Sequence, residues 1–206
     1  MTAVAMGTMN PKFLKPVLAI LTAVWAVVPL ALAQEATLRL DPEKTTVSFT
    51  LEATLHTVHG TFRLKSGEIK FNPATGAASG AVVVDAASGQ TGNQRRDRNM
   101  HRDVLVSERY PEITFTPTRV IGNVQPQRES SVQVDGVLRL RGSDHPITLP
   151  FTVHASASEL RATTQFTVPY AAWGLKNPST FLLHVADKVE LSIDATGKLT
   201  TAAPQR

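Results

Sequence analysis

Residues 91–102 concentrate the groups able to do chemistry: Thr91, Asn93, Arg95, Arg96, Asp97, Arg98, His101 and Arg102. Two uses fit these residue types. Arg96, with Thr91, Asn93 and His101, could form a polar lid meeting the head group of a ligand, since a guanidinium beside a helix N-terminus favours a carbonyl or anionic group. Alternatively, Asp97 or His101 could move a proton to or from a bound substrate. A structural use stands beside both, with Asp97 capping backbone donors in a first helical turn and Arg96 paired to a neighbouring carboxylate.

Two other constellations carry less. Gly142-Ser143-Asp144-His145 contains the types of a hydrolytic triad, but adjacent residues in a tight turn cannot set nucleophile, base and orienting acid in line. The chain also lacks a Gly-x-Ser-x-Gly elbow. The stretch therefore reads as a hairpin turn, and no catalytic residue is assigned. His56 and His59 are three apart, which on a strand puts them on opposite faces. The other histidines have no ligand-like spacing and there is no cysteine, so no metal site is expected.

The elements that must position these groups are mostly strands. Val47, Phe49, Leu51, Ala53 and Leu55 share one phase with polar residues between them, which predicts a strand with one buried face. Thr57-Val58-His59-Gly60 is expected to turn it back. Phe62 and Leu64 then fall on even positions and Ile69 and Phe71 on odd ones, so a β-bulge is predicted near Ser66-Gly67. Asn72-Pro73-Ala74-Thr75-Gly76 is a turn before a Val82-Val83-Val84 strand. Further strands carry Ile113, Phe115 and Pro117; then Val132, Val134, Leu138 and Leu140; then Ile147, Leu149, Phe151 and Val153. Gly142-Ser143-Asp144 is the expected turn between the last two. A strand over 162–168 and one with Val189, Leu191, Ile193 and Ala195 complete the set. The segment 88–111 alone reads as helix, with Met100, Val104 and Leu105 at helical spacing and Tyr110-Pro111 as its stop. Long amphipathic strands joined by short turns suit a closed antiparallel sheet as well as a sandwich.

Several of these stretches together resemble the YceI family of secreted bacterial proteins. The similarity rests on Thr91-Gly92-Asn93, Arg96-Asp97 and Met100-His101 followed by Tyr110-Pro111-Glu112-Ile113-Thr114-Phe115. It extends to Gly60-Thr61-Phe62, Ser66-Gly67-Glu68-Ile69, residues 136–142 with His145-Pro146-Ile147-Thr148-Leu149, Trp173-Gly174, and Asp187-Lys188-Val189-Glu190-Leu191. The resemblance implies an all-β fold: an antiparallel, lipocalin-like β-barrel of about eight strands with a short helical insertion. It further implies an elongated apolar cavity that takes a polyisoprenoid or quinone-like lipid, with no other cofactor. The chain departs from the family at 170–181, where a Trp-bearing apolar segment replaces a shorter arginine-containing turn common in relatives.

The domain organisation follows from the ends. Residues 1–33 read as a secretory signal, with Lys12 and Lys15 before an apolar run and Ala31-Leu32-Ala33 before Gln34. Met6 and Met9 are alternative starts. Residues 34–197 form one barrel domain and 198–206 a polar, frayed tail. A periplasmic or secreted location is expected, with no stable membrane span once the signal is cleaved. Removing Lys12 and Lys15 lowers the net charge from +4 to +2, and without a basic stripe nucleic acid is not an expected partner. The expected partner is an apolar small molecule or lipid, and a homodimer is compatible with the sequence.

The predicted ligand-binding set is therefore Phe49, Phe62, Phe71, Thr91, Asn93, Arg96, Asp97, His101, Phe115, Phe151, Phe166, Trp173 and Phe181. The aromatic members fill a core as readily as they line a cavity. The leading expectation is a binding or carrier protein and not an enzyme. A carrier of fatty acids or amides, an enzyme acting on a lipid in the cavity, and a solid barrel with an interaction role are its alternatives.

Overall fold

The computed structural model describes residues 35–201; the expected signal at 1–33 and residues 202–206 lie outside the described residues. Nine strands form one antiparallel sheet: β1 (Ala36–Leu40), β2 (Thr46–Leu51), β3 (Val58–Phe71), β4 (Ala78–Gln90), β5 (Glu112–Ile121), β6 (Glu129–Leu140), β7 (Ser143–Ala155), β8 (Glu159–Val168) and β9 (Val189–Thr201). They make eight staves, because β1 and β2 are two lengths of one. Both lie between β3 and β9, Ala36 opposite Phe71 and Thr201, Val47 opposite Phe62 and Ile193. The break between them is a short 3-10 turn at Pro42–Lys44, capped by the Asp41 carboxylate on Glu43 N–H at 3.0 Å. Pairing of β3 with β4 completes the ring, and the sheet closes as an up-and-down barrel.

The alternation read from sequence sets the inward face. Val47 and Phe49 on β2, Leu149 and Val153 on β7, and Leu160, Ala162 and Val168 on β8 are buried. The predicted bulge is present, with Lys65 as the extra residue: Leu64 pairs with Val84 and Ser66 with Val83. It moves the inward phase from Leu64 to Ile69 and Phe71 while keeping the stave continuous.

Three local expectations are corrected. The chain turns at 53–57, and Val58, His59 and Gly60 already belong to β3; Leu55 is thereby left exposed beyond the end of β2. The β6–β7 hairpin turns on Arg141-Gly142, with Leu140 opposite Ser143 and both turn residues at positive φ (50° and 79°), the conformation of a two-residue turn matching strand twist. Ser143, Asp144 and His145 thus lie on β7. At the C-terminal end, residues 198–201 continue β9 and pair with β1.

The helical insertion follows β4. Helix α1 (Gln94–Asn99) begins at Asn93, whose Oδ1 accepts from Arg95 N–H and Arg96 N–H at 3.0 and 3.1 Å. It continues into a wider π-helical turn at Met100–Leu105. The end is set by Val106, left-handed at φ 50°, and not by Tyr110-Pro111. A β-branched residue seldom adopts that conformation. Here its N–H donates to His101 O and its carbonyl accepts from Arg109 and Tyr110 N–H at 3.0 Å each. Met100, Val104 and Leu105 turn inward onto one end of the barrel beside Leu140, Val168, Tyr170 and Leu175.

Asn93→Ala removes an acceptor from two helix N-terminal donors and is expected to cost about 1 kcal/mol. Urea unfolding checks it: the midpoint falls with the slope unchanged, whereas an unmoved midpoint contradicts the cap.

Candidate functional site

The inward faces of the staves do not meet across the axis. They enclose a cavity of about 640 Å³, within the range of small-molecule sites. Its walls include Phe49, Phe62, Phe71, Phe115, Phe151 and Phe166, with aliphatic residues from every stave. One end is shut: Leu38, Leu160 and Val132 are buried there, and Val124 from the loop 122–128 packs over them. The other end opens beneath the helical insertion. The exposed residues among those lining the cavity, His56, Asn93, Arg95, Asn99, Pro178 and Thr180, all belong to the helical insertion or to loops at that end.

Three of the aromatic walls depend on glycine, Phe62 among them, since a Cβ on Gly89 would lie 2.5 Å from its Cε1. A Cβ on Gly60 would lie 2.3 Å from Phe49 Cζ, and one on Gly136 would lie 2.6 Å from Phe115 Cζ. Each ring therefore lies flat on the backbone of the neighbouring strand and leaves the axis free.

The polar groups form a network at the mouth. Thr91 is its centre, its N–H and Oγ1–H donating to Asp97 Oδ1 at 2.9 and 2.5 Å. Its Oγ1 and carbonyl accept from Arg96 Nε and Nη2 at 2.7 and 2.9 Å. Neither structural use foreseen for the pair is found: Asn93 supplies the helix cap, and Arg96 joins none of the ion pairs among the described residues. Arg96 is half-buried and lines the cavity with charge to spare.

Of the predicted set, nine residues share the cavity wall: the six phenylalanines named above, Thr91, Asn93 and Arg96. Asp97 stands behind them, holding Thr91. His101 clamps the insertion to β4, with Nε2 2.8 Å from Gly89 O and Nδ1 3.1 Å from Ser107 Oγ. The carbonyl needs a donor, so Nε2 carries a proton. Trp173 stacks on His145 at 4.0 Å and 5° outside the cavity, and the Phe181 side chain is in solvent. The sequence reading missed His56, Arg95, Asn99 and Thr180. Arg95 and Asn99 were within its reach, since 95, 96, 99 and 100 share one helical face.

The segment 169–188 forms the opposite rim. Tyr170 donates its hydroxyl to Ala186 O at 2.6 Å, and burial, with Asp187 nearby, pushes the phenol up to about 12. Asn177 Nδ2 donates to Val185 O and Asp187 Oδ1. Asp103 reaches across to this segment, 3.6 Å from Lys176 Nζ. Hydrogen bonds from Arg102, with the charges of Arg102 and Lys176, hold its carboxyl at about 2. Asp144, the carboxylate of the apparent triad, is taken by Arg139 in a two-point pair at 2.7 and 2.8 Å. Among the described residues no group of histidines and carboxylates has metal-holding geometry.

A sequence profile described as the YceI-like domain matches residues 38–197. The chain belongs to the YceI family. A UPF0312 protein of Vibrio cholerae is 33% identical over 94 residues, which cover 45% of this chain and 48% of that protein; the chain spans about half the length of the relatives it matches. A polyisoprenoid binding domain from Saccharophagus degradans, implicated in plant cell wall breakdown, superposes with a TM-score of 0.65 at 18% identity, covering 79% of this chain and 98% of that one. BcnA of Burkholderia cenocepacia gives 0.62 at 21% identity, covering 76% and 98%. The YceI protein of Campylobacter jejuni gives 0.56 at 21%, covering 74% and 88%. At these identities the solved structures share the barrel fold.

Two outcomes are expected. Gly60→Ala drives Phe49 toward the axis, costing about 1–3 kcal/mol and shrinking the space for an apolar dye; urea unfolding and dye titration read the two effects. The depressed Asp103 carboxyl stabilises the rim fully above its ordinary value of 3.8, and this contribution is lost as pH falls through about 2. Trp173 fluorescence is expected to show a step near that pH, absent in Asp103→Asn.

Proposed function

We propose that the protein is an exported, non-catalytic carrier that holds the apolar chain of an isoprenoid lipid in the barrel and the lipid's polar head at the mouth. The supporting observation is the separation of chemistry within one cavity: apolar side chains over the walls and closed end, polar ones gathered at the opening. Burial of each methylene contributes about 0.8 kcal/mol, so affinity needs few polar contacts. The polyisoprenoid-binding description of the Saccharophagus domain supports the same ligand class, a polyisoprenoid or isoprenoid quinone.

Arg96, with unused donors beside Thr91 and Asn93, fits a carbonyl, carboxylate or phosphate head group. Asp97 and His101 hold Thr91, Gly89 and Ser107, which argues against a proton-transfer role for either. A fatty acid or amide fits the same walls and differs only at the mouth. Export, to the periplasm or the medium, rests on the signal-like residues 1–33.

The test is uptake of a polyprenyl alcohol by the purified protein and by Phe115→Glu. The wild type is expected to take up about one molecule per barrel. The variant, with a carboxylate facing the apolar wall, is expected to lose uptake at least about tenfold while its strand circular dichroism persists. A folded variant that loads like the wild type contradicts the assigned wall, and a wild type that takes up no lipid contradicts the carrier.

A further inference from the structure

The rim of the mouth carries large apolar side chains that are mostly in solvent. Phe181 is 102% exposed, Leu182 84% and Leu55 77%. They are presented by built structure. Thr180 and Leu183 close a turn, with Thr180 N–H donating to Leu183 O at 2.8 Å and Leu183 N–H donating to Thr180 Oγ1 at 3.1 Å, which leaves Phe181 and Leu182 at its tip. Thr180 and Leu183 both line the cavity. The turn stands beside the loop 52–57 through the Ala53–Val185 bridge and the bonds from Thr54 N–H to His184 O and from Ala186 N–H to Glu52 O, 2.9 Å each. Leu55 therefore projects past the same bridge.

Charge is distributed unequally between the two ends. The mouth-side loops 52–57, 91–111, 141–142 and 169–188 carry eight Arg and Lys against five Asp and Glu. The loops of the closed end, 41–45, 72–77, 122–128 and 156–158, carry two of each. Arg95, Arg96 and Arg98 join none of the ion pairs among the described residues. Exposed apolar tips and unpaired cations around one aperture are a combination that seats a protein in the interface of an anionic bilayer, the side chains entering the acyl boundary and the cations meeting the head groups.

We propose that the open end of the barrel docks on an anionic lipid bilayer, Phe181, Leu182 and Leu55 entering it, so that the cavity mouth faces the membrane. This rests on the carrier reading for its purpose, since a mouth set into the bilayer lets a lipid tail pass between membrane and cavity without crossing water. Its geometry is independent of what the cavity holds.

The experiment is flotation of the protein recovered from expressing cells with vesicles of phosphatidylethanolamine and phosphatidylglycerol, and with phosphatidylcholine vesicles. Wild type and Phe181→Ser/Leu182→Ser are compared, so that any contribution of the N-terminal residues is common to both. The substituted side chains are almost wholly exposed, and the variant's melting temperature is expected to match the wild type. The wild type should float with the phosphatidylglycerol vesicles, less in high salt and less with phosphatidylcholine. The variant should bind at least about tenfold more weakly while still taking up an apolar dye. Equal flotation of the two proteins, or none by the wild type, overturns the proposal. So does a wild-type dimer that the variant abolishes, because the tips would then meet a second copy. Vesicle binding without any dye uptake would remove the carrier reading and leave the docking surface standing.

Discussion

Closure of the sheet through its first stave is the constraint on which the rest of the structure depends. β1 and β2 each sit hydrogen-bonded between β3 and β9, so the sheet has no terminal strand and its inward side chains face one common interior. An eight-stave ring is at the size where the interior can be packed solid or hold one ligand. The choice is made locally, by Phe49 and Phe115 lying flat over Gly60 and Gly136 instead of reaching for the axis. The cavity is thus a consequence of backbone approach as much as of side-chain type.

The two ends of the barrel then take different roles. At one, the loop 122–128 folds back through Gln127 N–H to Ala155 O at 2.7 Å and brings Val124 onto the core. At the other, the helical insertion covers the opening only in part, with its apolar face turned in and Arg95, Arg96 and Asn99 at the aperture. Thr91 ties this lid to itself and His101 ties it to β4. The polar groups of residues 91–102 are therefore divided: Arg96 faces the cavity, while Asp97 and His101 hold the frame around it.

The strands were legible because one face is apolar and the other polar, so period-two alternation survives in the sequence; the bulge at Lys65 shows as a change of phase. What was not legible is geometry set by register. Nothing in Gly60 distinguishes a turn glycine from one lying under a ring in β3, and Arg141-Gly142 becomes the turn only because Leu140 pairs with Ser143. The six strand phenylalanines line the cavity because each obeys the alternation. Trp173 and Phe181 sit in a long connection with no period, and their directions are decided by contacts with His145 and by the Thr180–Leu183 turn. Barrel rather than sandwich came from family resemblance, since local alternation is the same in both.

Mass spectrometry of an organic extract of the protein, purified without detergent from its own cells, tests the central claim most directly. A single isoprenoid species, a polyprenyl chain or a quinone, at about one per barrel is the result this account predicts. An extract free of lipid, from a protein whose interior also refuses added polyprenyl alcohol, would contradict it.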